Sequence, residues 1–208
     1  MAACLGVGAA RTPVNIPWPV VLASASPRRR ELLGKLITEF AVDPADIDEA
    51  EHADPDPLVT AQRLAKHKCL HVFERHPQAL VVAGDTVVAY PLDGGWKQLA
   101  KPHSEDDAVE MLMQLAGRTH TVVTGVCLRW PSGMAAFTDS TQVTFRAFAE
   151  TEARAYSRTG APLDKAGAYG LQDQSQSFVE GVRGSVTNVI GLPMEKLEES
   201  LRSIAGSA

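Results

Sequence analysis

The stretch VVLASASPRRRELLGKL, residues 20–36, passes from a buried strand into a capped helix within a few residues. The apolar run at its start is typical of a strand inside a protein. Ser26 is a favourable N-cap, and Pro27 suits the first helical position because its φ is already helical and no hydrogen bond is lost there. Leucines follow at helical spacing, at positions 32, 33 and 36. The stretch therefore predicts a strand that runs directly into a helix.

The first turn of this helix carries three arginines, Arg28, Arg29 and Arg30. Cations are disfavoured at a helix N-terminus by about 0.3–1 kcal/mol each, because the helix dipole is positive there. The same end binds anions, since it offers free N–H groups, and the hydroxyls of Ser24 and Ser26 would add donors. A bound phosphate would explain the arginines. The alternative is that they point to solvent, and the local sequence favours neither reading.

Apolar spacing and turn residues predict a mixture of helices and strands along the rest of the chain. Helices are expected over residues 57–75, 104–116, 151–159 and 193–204. Strands are expected over 79–90, where GDT interrupts an apolar run, and over 96–100, 119–130, 134–148, 178–182 and 185–192. Because several strands are joined by hairpins, we expect an α/β fold with a mixed sheet flanked by helices.

The composition is that of an ordinary globular protein of one domain, with 208 residues, 45% hydrophobic and 22% charged. The net charge of −5 and the aromatic content of only 6% argue against a nucleic-acid-binding surface. No apolar run approaches the roughly 18 residues of a membrane span. Three scattered cysteines without a CxxC pair are typical of a reducing compartment, so we expect a cytoplasmic protein.

Residues 1–19, MAACLGVGAARTPVNIPWP, are small, contain prolines and lack acidic side chains. A signal peptide has a basic start and a longer apolar centre, and a transit peptide has more Arg and Ser. We therefore expect a disordered N-terminal extension over residues 1–19 and a single α/β domain over residues 20–208. An organelle address is the alternative reading of the extension.

Asp85 interrupts an apolar run that should be buried, and an unpaired buried carboxylate is costly. Its partner must be a metal ion, a cation or a set of hydrogen-bond donors; the alternative is a carboxylate that caps a turn at a strand end. Glu49 lies in an acidic, proline-rich segment and by itself is typical of a solvated loop.

Other polar residues carry weaker signals when each is considered alone. Lys68 on a predicted helix and Lys101 before a proline are unexceptional. Asp164, Lys165, Tyr169 and Gln172 lie in or beside a glycine-rich loop, AGAYG, where the backbone can approach a ligand closely; the alternative is an ordinary surface loop. His67 and His71 have i,i+4 spacing but lack a third ligand at recognisable spacing. The phosphate-loop, dinucleotide and nucleophile-elbow motifs GxxxxGK[ST], GxGxxG and GxSxG are absent from the sequence.

Together these segments resemble the Maf family of nucleoside triphosphate pyrophosphatases, also known as the septum-formation-inhibitor family. The opening signature is LASASPRRRELL, and the resemblance extends over about residues 20–201. The segments that follow it in the expected order are IDE, RLAKHK, GDTVV, AKP, LAGRTHTVVTGV, PLDKAGAYGLQ and NVIGLP. So many matches in order make a chance resemblance very improbable.

The resemblance implies an elongated mixed sheet with a cleft between two lobes, similar to the inosine triphosphatase fold. It also implies hydrolysis of a nucleoside triphosphate between its α and β phosphates, with Mg²⁺ or Mn²⁺ as cofactor. The positions that match phosphate-binding residues of the family are Ser24, Arg28, Arg29, Lys68 and Lys101. Glu49 and Asp85 match acidic positions associated with the metal and with activation of water, and Gln172 matches a polar position near the substrate.

Within the family, the sequence is similar to the branch that favours dTTP and UTP over the branch that favours 7-methylguanosine triphosphate. The positions that indicate this are Arg28, Thr86, Lys165 and Gln172, and the resemblance implies that all four contact the substrate. One departure is DQSQS, residues 173–177, where relatives usually carry a glycine soon after the glutamine; this affects the expected shape of the loop.

The mechanistic hypothesis follows from these matches. Asp85 is the expected general base, Glu49 and Asp85 hold the metal, and the cations at positions 28, 29, 68 and 101 stabilise the leaving pyrophosphate. Catalytic roles are thus expected for Asp85, Glu49, Lys101 and Arg29. The alternative functions are a nucleotide-binding regulator of cell division with little catalysis and a 7-methylguanosine triphosphate pyrophosphatase. A homodimer is compatible with the resemblance, although the sequence carries no interface signature.

Overall fold

A computed structural model describes residues 11–206, which form seven strands and six α-helices in one sheet-based assembly. The strands are β1 (Val20–Leu22), β2 (Ala41–Val42), β3 (Leu80–Leu92), β4 (Gly95–Leu99), β5 (Thr119–Trp130), β6 (Gly133–Phe145) and β7 (Val179–Arg183). The helices are α1 (Pro27–Gly34), α2 (Pro57–Phe73), α3 (Glu105–Leu115), α4 (Glu150–Ser157), α5 (Val186–Ile190) and α6 (Met194–Gly206). Short 3₁₀ turns cover Ala50–His52, Ala161–Asp164, Ala166–Ala168 and Gln174–Phe178.

The strands form one mixed sheet in the order β2-β1-β3-β5-β6-β7, with β4 paired to β3. β1 pairs in parallel with both β2 and β3, whereas the other pairs are antiparallel. Consecutive antiparallel strands such as β3–β4 and β5–β6 are hairpins. The structure thus confirms the mixed α/β fold class.

One edge of the long strand β3 is paired near both ends of the strand but unpaired in the middle, and this unpaired part is a gap in the sheet. β1 pairs with residues 80–82 of β3, and β4 pairs with residues 88–92 of the same edge. Between them, residues 83–87 pair only with β5 on the opposite edge. GDT lies in this gap as continuous strand, so a turn at a strand end is the wrong interpretation of Asp85.

Helices cover both faces of the sheet, and the two largest buried clusters form a first and a second core. α2 packs on one face over β3 and β5, where a Cβ at Gly125 would lie 2.2 Å from the Ala61 carbonyl oxygen. α1 and α6 pack on the other face around buried leucines. A second core, with Phe145, Tyr156 and Phe178, lies beneath α3 and α4. The gap in β3 lies between these two cores.

The expected strand over residues 185–192 is wrong, because Val186–Ile190 is the helix α5. Ser185 caps this helix by accepting a hydrogen bond from the Asn188 N–H, and Gly191 ends it with φ 129°. The β-branched residues favour a strand locally. The cap at Ser185, the glycine at the C-terminal end and the packing against β5 and β6 together stabilise a helix instead.

The N-terminal segment is described from residue 11 onward, and its residues 11–19 pack on the domain. The Val14 N–H donates to the Leu36 carbonyl at 2.7 Å, and Val14 is buried in the first core. Arg11 binds Glu195 and Glu198 of α6. Residues 1–10 of the expected extension lie outside the described residues. Across residues 11–206, none of the helices has the length and apolarity needed to cross a bilayer.

Candidate active site

A cavity of about 760 Å³ lies at the gap in β3, between the two cores. It collects every residue that the sequence proposed for the site, from six separate segments of the chain. These residues are Ser24, Arg28, Arg29, Glu49, Lys68, Asp85, Thr86, Lys101, Lys165 and Gln172. Of the three arginines on the first turn of α1, Arg30 is exposed and does not line the cavity.

Arg29 is held at the start of α1 by three hydrogen bonds. Its Nε donates to the Gly191 carbonyl at 3.0 Å, and its two terminal nitrogens donate to Ser24 Oγ at 3.2 Å and Thr86 Oγ1 at 3.0 Å. Gly84 makes room for it, since a Cβ there would lie 3.3 Å from Arg29 Nε. Burial lowers the pKa of Arg29, while the nearby charge of Asp85 acts in the opposite direction. The arginine is therefore fixed in orientation before any ligand binds.

Asp85 meets a cation, which is one of the three partners that its sequence context allowed. Side chains alternate along a strand, so Asp85 points to the α2 side of the sheet while Thr86 points to the α1 side. Lys68 Nζ lies 2.6 Å from Asp85 Oδ1 and 2.7 Å from Glu49 Oε1. Burial raises the pKa of Asp85 against the opposing effect of Lys68 and Arg29.

Glu49 belongs to this group, although its sequence context is that of a solvated loop. Its side chain is 52% exposed and lies beside the 3₁₀ turn at residues 50–52. Burial raises its pKa, but hydrogen bonding and charge from Lys68 outweigh this and lower the pKa overall. His52 in the turn stacks on His67 of α2, with ring centroids 3.8 Å apart. This contact places Glu49 next to Lys68.

Arg28 and Lys165 share a carboxylate at the mouth of the cavity. Arg28 donates to Asp164 Oδ2 at 2.8 Å, and Lys165 Nζ lies 2.7 Å from Asp164 Oδ1. Lys165 also lies 3.4 Å from Asp173 Oδ2 and donates to the Ala161 carbonyl. Asp164 is therefore a member of the site; the sequence indicated the loop that contains it but did not place Asp164 among the site residues.

Lys101 and Gln172 line the cavity with exposed side chains. Neither side chain makes a hydrogen bond to another residue within the described part of the chain, so both are available to a ligand. The positive charge of Lys101 acts on Glu49 and helps to lower its pKa.

Three buried polar residues behind the cavity were not identified from the sequence: Thr124, Asn188 and His120. Thr124 bonds to Thr86, and Asn188 bonds to the backbone of β5. His120 Nε2 lies 2.7 Å from the hydroxyl of Tyr169, which lines the cavity. A polar side chain within an apolar run was the available signal, the same one that identified Asp85.

The two carboxylates suit a hard divalent cation. Mg²⁺ is usually held by one or two carboxylates together with substrate phosphates, and Glu49 and Asp85 supply such oxygens. Among residues 11–206 no group of three or more His, Cys, Asp or Glu side chains is placed to hold a metal ion. The residues thus fit a metal that shares its ligands with a phosphorylated substrate, and they do not fit an all-protein metal cage.

A family model described as "Maf-like protein" matches residues 19–204 of the sequence. The chain belongs to the Maf family. The dTTP/UTP pyrophosphatase of Koribacter versatilis is 41% identical, over 90% of this chain and 95% of its own length. The dTTP/UTP pyrophosphatases of Myxococcus xanthus and Thermococcus kodakarensis are 47% and 45% identical over 84% and 86% of this chain, and over 87% and 95% of their own lengths.

A solved structure supports the fold of this Maf-family chain independently of sequence. The Ham1 protein of Staphylococcus aureus superposes with a TM-score of 0.52 at 14% identity. The match covers 89% of this chain and 98% of that chain. At this identity the likeness concerns the fold alone.

Proposed function

We propose that this Maf-family protein hydrolyses dTTP and UTP to the nucleoside monophosphate and pyrophosphate. Relatives that are 41–47% identical over most of the chain carry the name dTTP/UTP pyrophosphatase. The observation that carries the proposal is the convergence of Arg29, Lys68, Glu49 and Asp85 on one cavity. Five lysine and arginine side chains and three carboxylates line the cavity of a protein whose net charge is negative, and such a site suits a polyanionic ligand and a metal ion.

The cavity suits a nucleoside triphosphate in size and in the distribution of its polar groups. Its volume of about 760 Å³ lies within the range of small-molecule sites. Arg29 and Lys68 lie deep in the cleft beside Asp85, and Lys101 and Arg28 flank them, so the triphosphate would bind along this side. Leu171 and Gln172 would face the base, where the amide can both donate to and accept from a pyrimidine edge.

Asp85 is the proposed general base. The oxygen of a water molecule would bond to the α-phosphorus as the bond from that phosphorus to the bridging oxygen of the β-phosphate breaks. The water proton would pass to the Asp85 carboxylate, and pyrophosphate would leave. Arg29 and Lys68 would stabilise the charge on the phosphoryl oxygens. Glu49 would position Lys68 from its other side.

Glu49 and Asp85 are also the residues that would hold Mg²⁺ or Mn²⁺. When bound, the metal would supply neutralisation of phosphate charge and polarisation of a water molecule. Lys68 already contacts both carboxylates. The substrate phosphates would therefore interact both with the metal ion and with Lys68.

The test is turnover of the full chain with dTTP and UTP in water enriched in ¹⁸O, with Mg²⁺, with Mn²⁺ and with a chelator. We expect the label in the monophosphate, as attack at the α-phosphorus requires, and loss of turnover with the chelator. Label in pyrophosphate, or in inorganic phosphate, would contradict the proposed bond cleavage.

A panel of modified pyrimidine nucleotides and 7-methylguanosine triphosphate separates the alternative functions. A preference for the methylated purine would place the protein in the other substrate class. Tight nucleotide binding without any turnover would favour a regulatory role, such as one in cell division. A homodimer and a cytoplasmic location stay predictions, which sedimentation velocity and cell fractionation test.

A further inference from the structure

A row of hydrogen-bonded polar groups runs from the cavity into the interior of the sheet. Arg29 donates to Thr86 Oγ1 at 3.0 Å, and Thr86 Oγ1 lies 3.0 Å from Thr124 Oγ1. Thr124 Oγ1 in turn donates to the Asn188 carbonyl at 2.9 Å. Thr124 and Asn188 are completely buried, and Thr124 does not line the cavity. Thr86 and Thr124 are directly opposed on β3 and β5, which explains the contact between their hydroxyls.

The two ends of the row determine its direction. A guanidinium can only donate and a carbonyl can only accept. Thr124 donates its only hydroxyl proton to the backbone carbonyl of Asn188. In the hydrogen bond between the two threonines, Thr124 must therefore be the acceptor. Thr86 therefore donates its hydroxyl proton to Thr124 and accepts a hydrogen bond from Arg29. The hydroxyl of Thr86 is thus committed to orienting Arg29 and has no proton to offer to a ligand.

Helix α5 anchors both ends of the arrangement. The Asn188 side chain donates to the Val122 carbonyl and to Thr141 Oγ1, each at 3.0 Å, which ties α5 to β5 and β6. The same helix ends at Gly191, whose carbonyl accepts from Arg29 Nε. Of the five guanidinium N–H groups of Arg29, three are bound to protein and two remain for substrate oxygens.

We infer that Thr124 is a positioning residue for Arg29, acting through Thr86 without touching the substrate. An arginine that is oriented in advance stabilises transition-state charge without reorganisation, and small misplacements are costly. This inference deepens the proposed function and rests on it for its kinetic consequence. It assigns Thr86 to the support of Arg29, where the resemblance had suggested contact with the substrate.

Thr124→Val tests the inference, because valine keeps the shape and removes the hydroxyl. We expect kcat with dTTP to fall about 10- to 100-fold while KM changes less than about threefold, since a misoriented arginine affects the transition state most. Thr124→Ser, which restores the hydroxyl, should remain within about threefold of the unaltered protein. Thr86→Val should resemble Thr124→Val, and the double variant should be no worse than Thr86→Val alone.

Thr119→Val is the matched control. Thr119 lies on the same strand, and its hydroxyl lies 2.9 Å from Thr144 Oγ1 on β6 in an exposed cross-strand pair. Its kcat should stay within about twofold of the unaltered protein. A normal kcat for Thr124→Val, failure of Thr124→Ser to rescue, or additive losses in the double variant would each overturn the inference.

Nitrogen-15 NMR of the arginine side chains supplies a readout that does not depend on turnover. The terminal Arg29 N–H that donates to Thr86, assigned by its loss in Arg29→Lys, should exchange with solvent at least tenfold faster in Thr124→Val. Its exchange rate should be unchanged in Thr119→Val. Unchanged exchange in Thr124→Val would also overturn the inference. If the unaltered protein fails to hydrolyse dTTP and UTP, the proposed function fails, whereas the exchange measurement still decides the role of Thr124.

Discussion

Two charged groups border the same cleft at different depths. The inner group consists of Lys68, Asp85 and Glu49 with Arg29 beside them. The outer group consists of Arg28, Asp164 and Lys165, and Lys165 also contacts Asp173 outside the cavity lining. The difference lies in the central pair of each group. Both side chains of the Lys68–Asp85 pair are nearly buried, at 12% and 10% exposed, whereas the carboxylate that Arg28 and Lys165 share, Asp164, is 54% exposed. Removing one partner of a buried pair leaves an uncompensated charge, while exposed pairs contribute little and are screened by salt. The inner group is therefore the more sensitive to substitution.

The two groups also differ in the backbone that carries them. Asp85 lies within β3, and Arg29 and Lys68 lie on helices packed against the sheet. Asp164 and Lys165 lie between 3₁₀ turns, next to Gly167 with φ 66°. Regular elements fix side chains more closely than loops do. We therefore propose that the inner group carries out the chemistry and the outer group contributes to recognition, and four predictions test this division.

Asp85→Asn should have the largest effect. It removes the proposed base and keeps the size of the side chain, so kcat for dTTP should fall about 10²- to 10⁴-fold. Steady-state kinetics with the ¹⁸O assay measures this. The matched control is Asp139→Asn, an aspartate on β6 that pairs with Lys196 outside the cavity. Near-normal kcat for Asp85→Asn would remove Asp85 from the chemistry.

Arg29→Lys should come next. It keeps the charge, but a single ammonium cannot reproduce the fixed fork that binds Ser24, Thr86 and the Gly191 carbonyl. We expect a loss of about 10²-fold in kcat/KM, by analogy with removal of one oxyanion donor. Arg75→Lys, at an exposed pair with Asp43 away from the cavity, is the control. Equal activity of the two variants would mean that only the charge of Arg29 matters.

Acid should weaken the second core, which supports the loop of the outer group. Burial lowers the pKa of His120 to about 4, below the 6.5 of an unfolded histidine. The unfolded chain therefore binds the proton more tightly, and stability falls as the pH decreases from 6.5 towards 4. Between pH 7 and pH 5 the loss from this group should be about 2 kcal/mol in the free energy of unfolding.

Urea unfolding at the two pH values measures this loss. In His120→Gln, the decrease in the free energy of unfolding between pH 7 and pH 5 should be smaller than in the unaltered protein by about 2 kcal/mol. This expectation holds whatever the stability of the variant at pH 7. His71→Gln, at a half-exposed position on α2, should keep the dependence of the unaltered protein. An unchanged pH dependence in His120→Gln would contradict the assignment to His120.

Asp164→Asn should have the smallest effect. It releases Arg28 and removes a negative charge from the mouth of the cavity, so KM for dTTP should fall by up to about fivefold with kcat within about twofold. The free energy of unfolding should change by less than about 1 kcal/mol. Asp106→Asn makes the same charge change at an exposed position outside the cavity and should leave KM unaltered. A loss of kcat in Asp164→Asn would place the outer group in the chemistry.

Much of the fold could be predicted because its signals are local. Ser26 and Pro27 start α1 at the expected residue, Asp56 and Pro57 do the same for α2, and Asp93 and Gly94 form the β3–β4 turn. Each of these depends on neighbours within about four residues. There are two exceptions. The short strand β2 was not predicted, and α5 is a helix because packing against β5 and β6 outweighs the local preference for a strand.

The sequence alone determined which residue types could serve the site, since the motif segments and the carboxylate in an apolar run are visible in it. Only the tertiary structure decided their partners. Arg29 forms a hydrogen bond with Thr86, which is 57 positions further along the chain. Thr124 forms one with the backbone carbonyl of Asn188, which is 64 positions further along. Which groups pair, and which are buried, depends on strand register and on the gap between β1 and β4. These are long-range properties that no local spacing along the chain encodes.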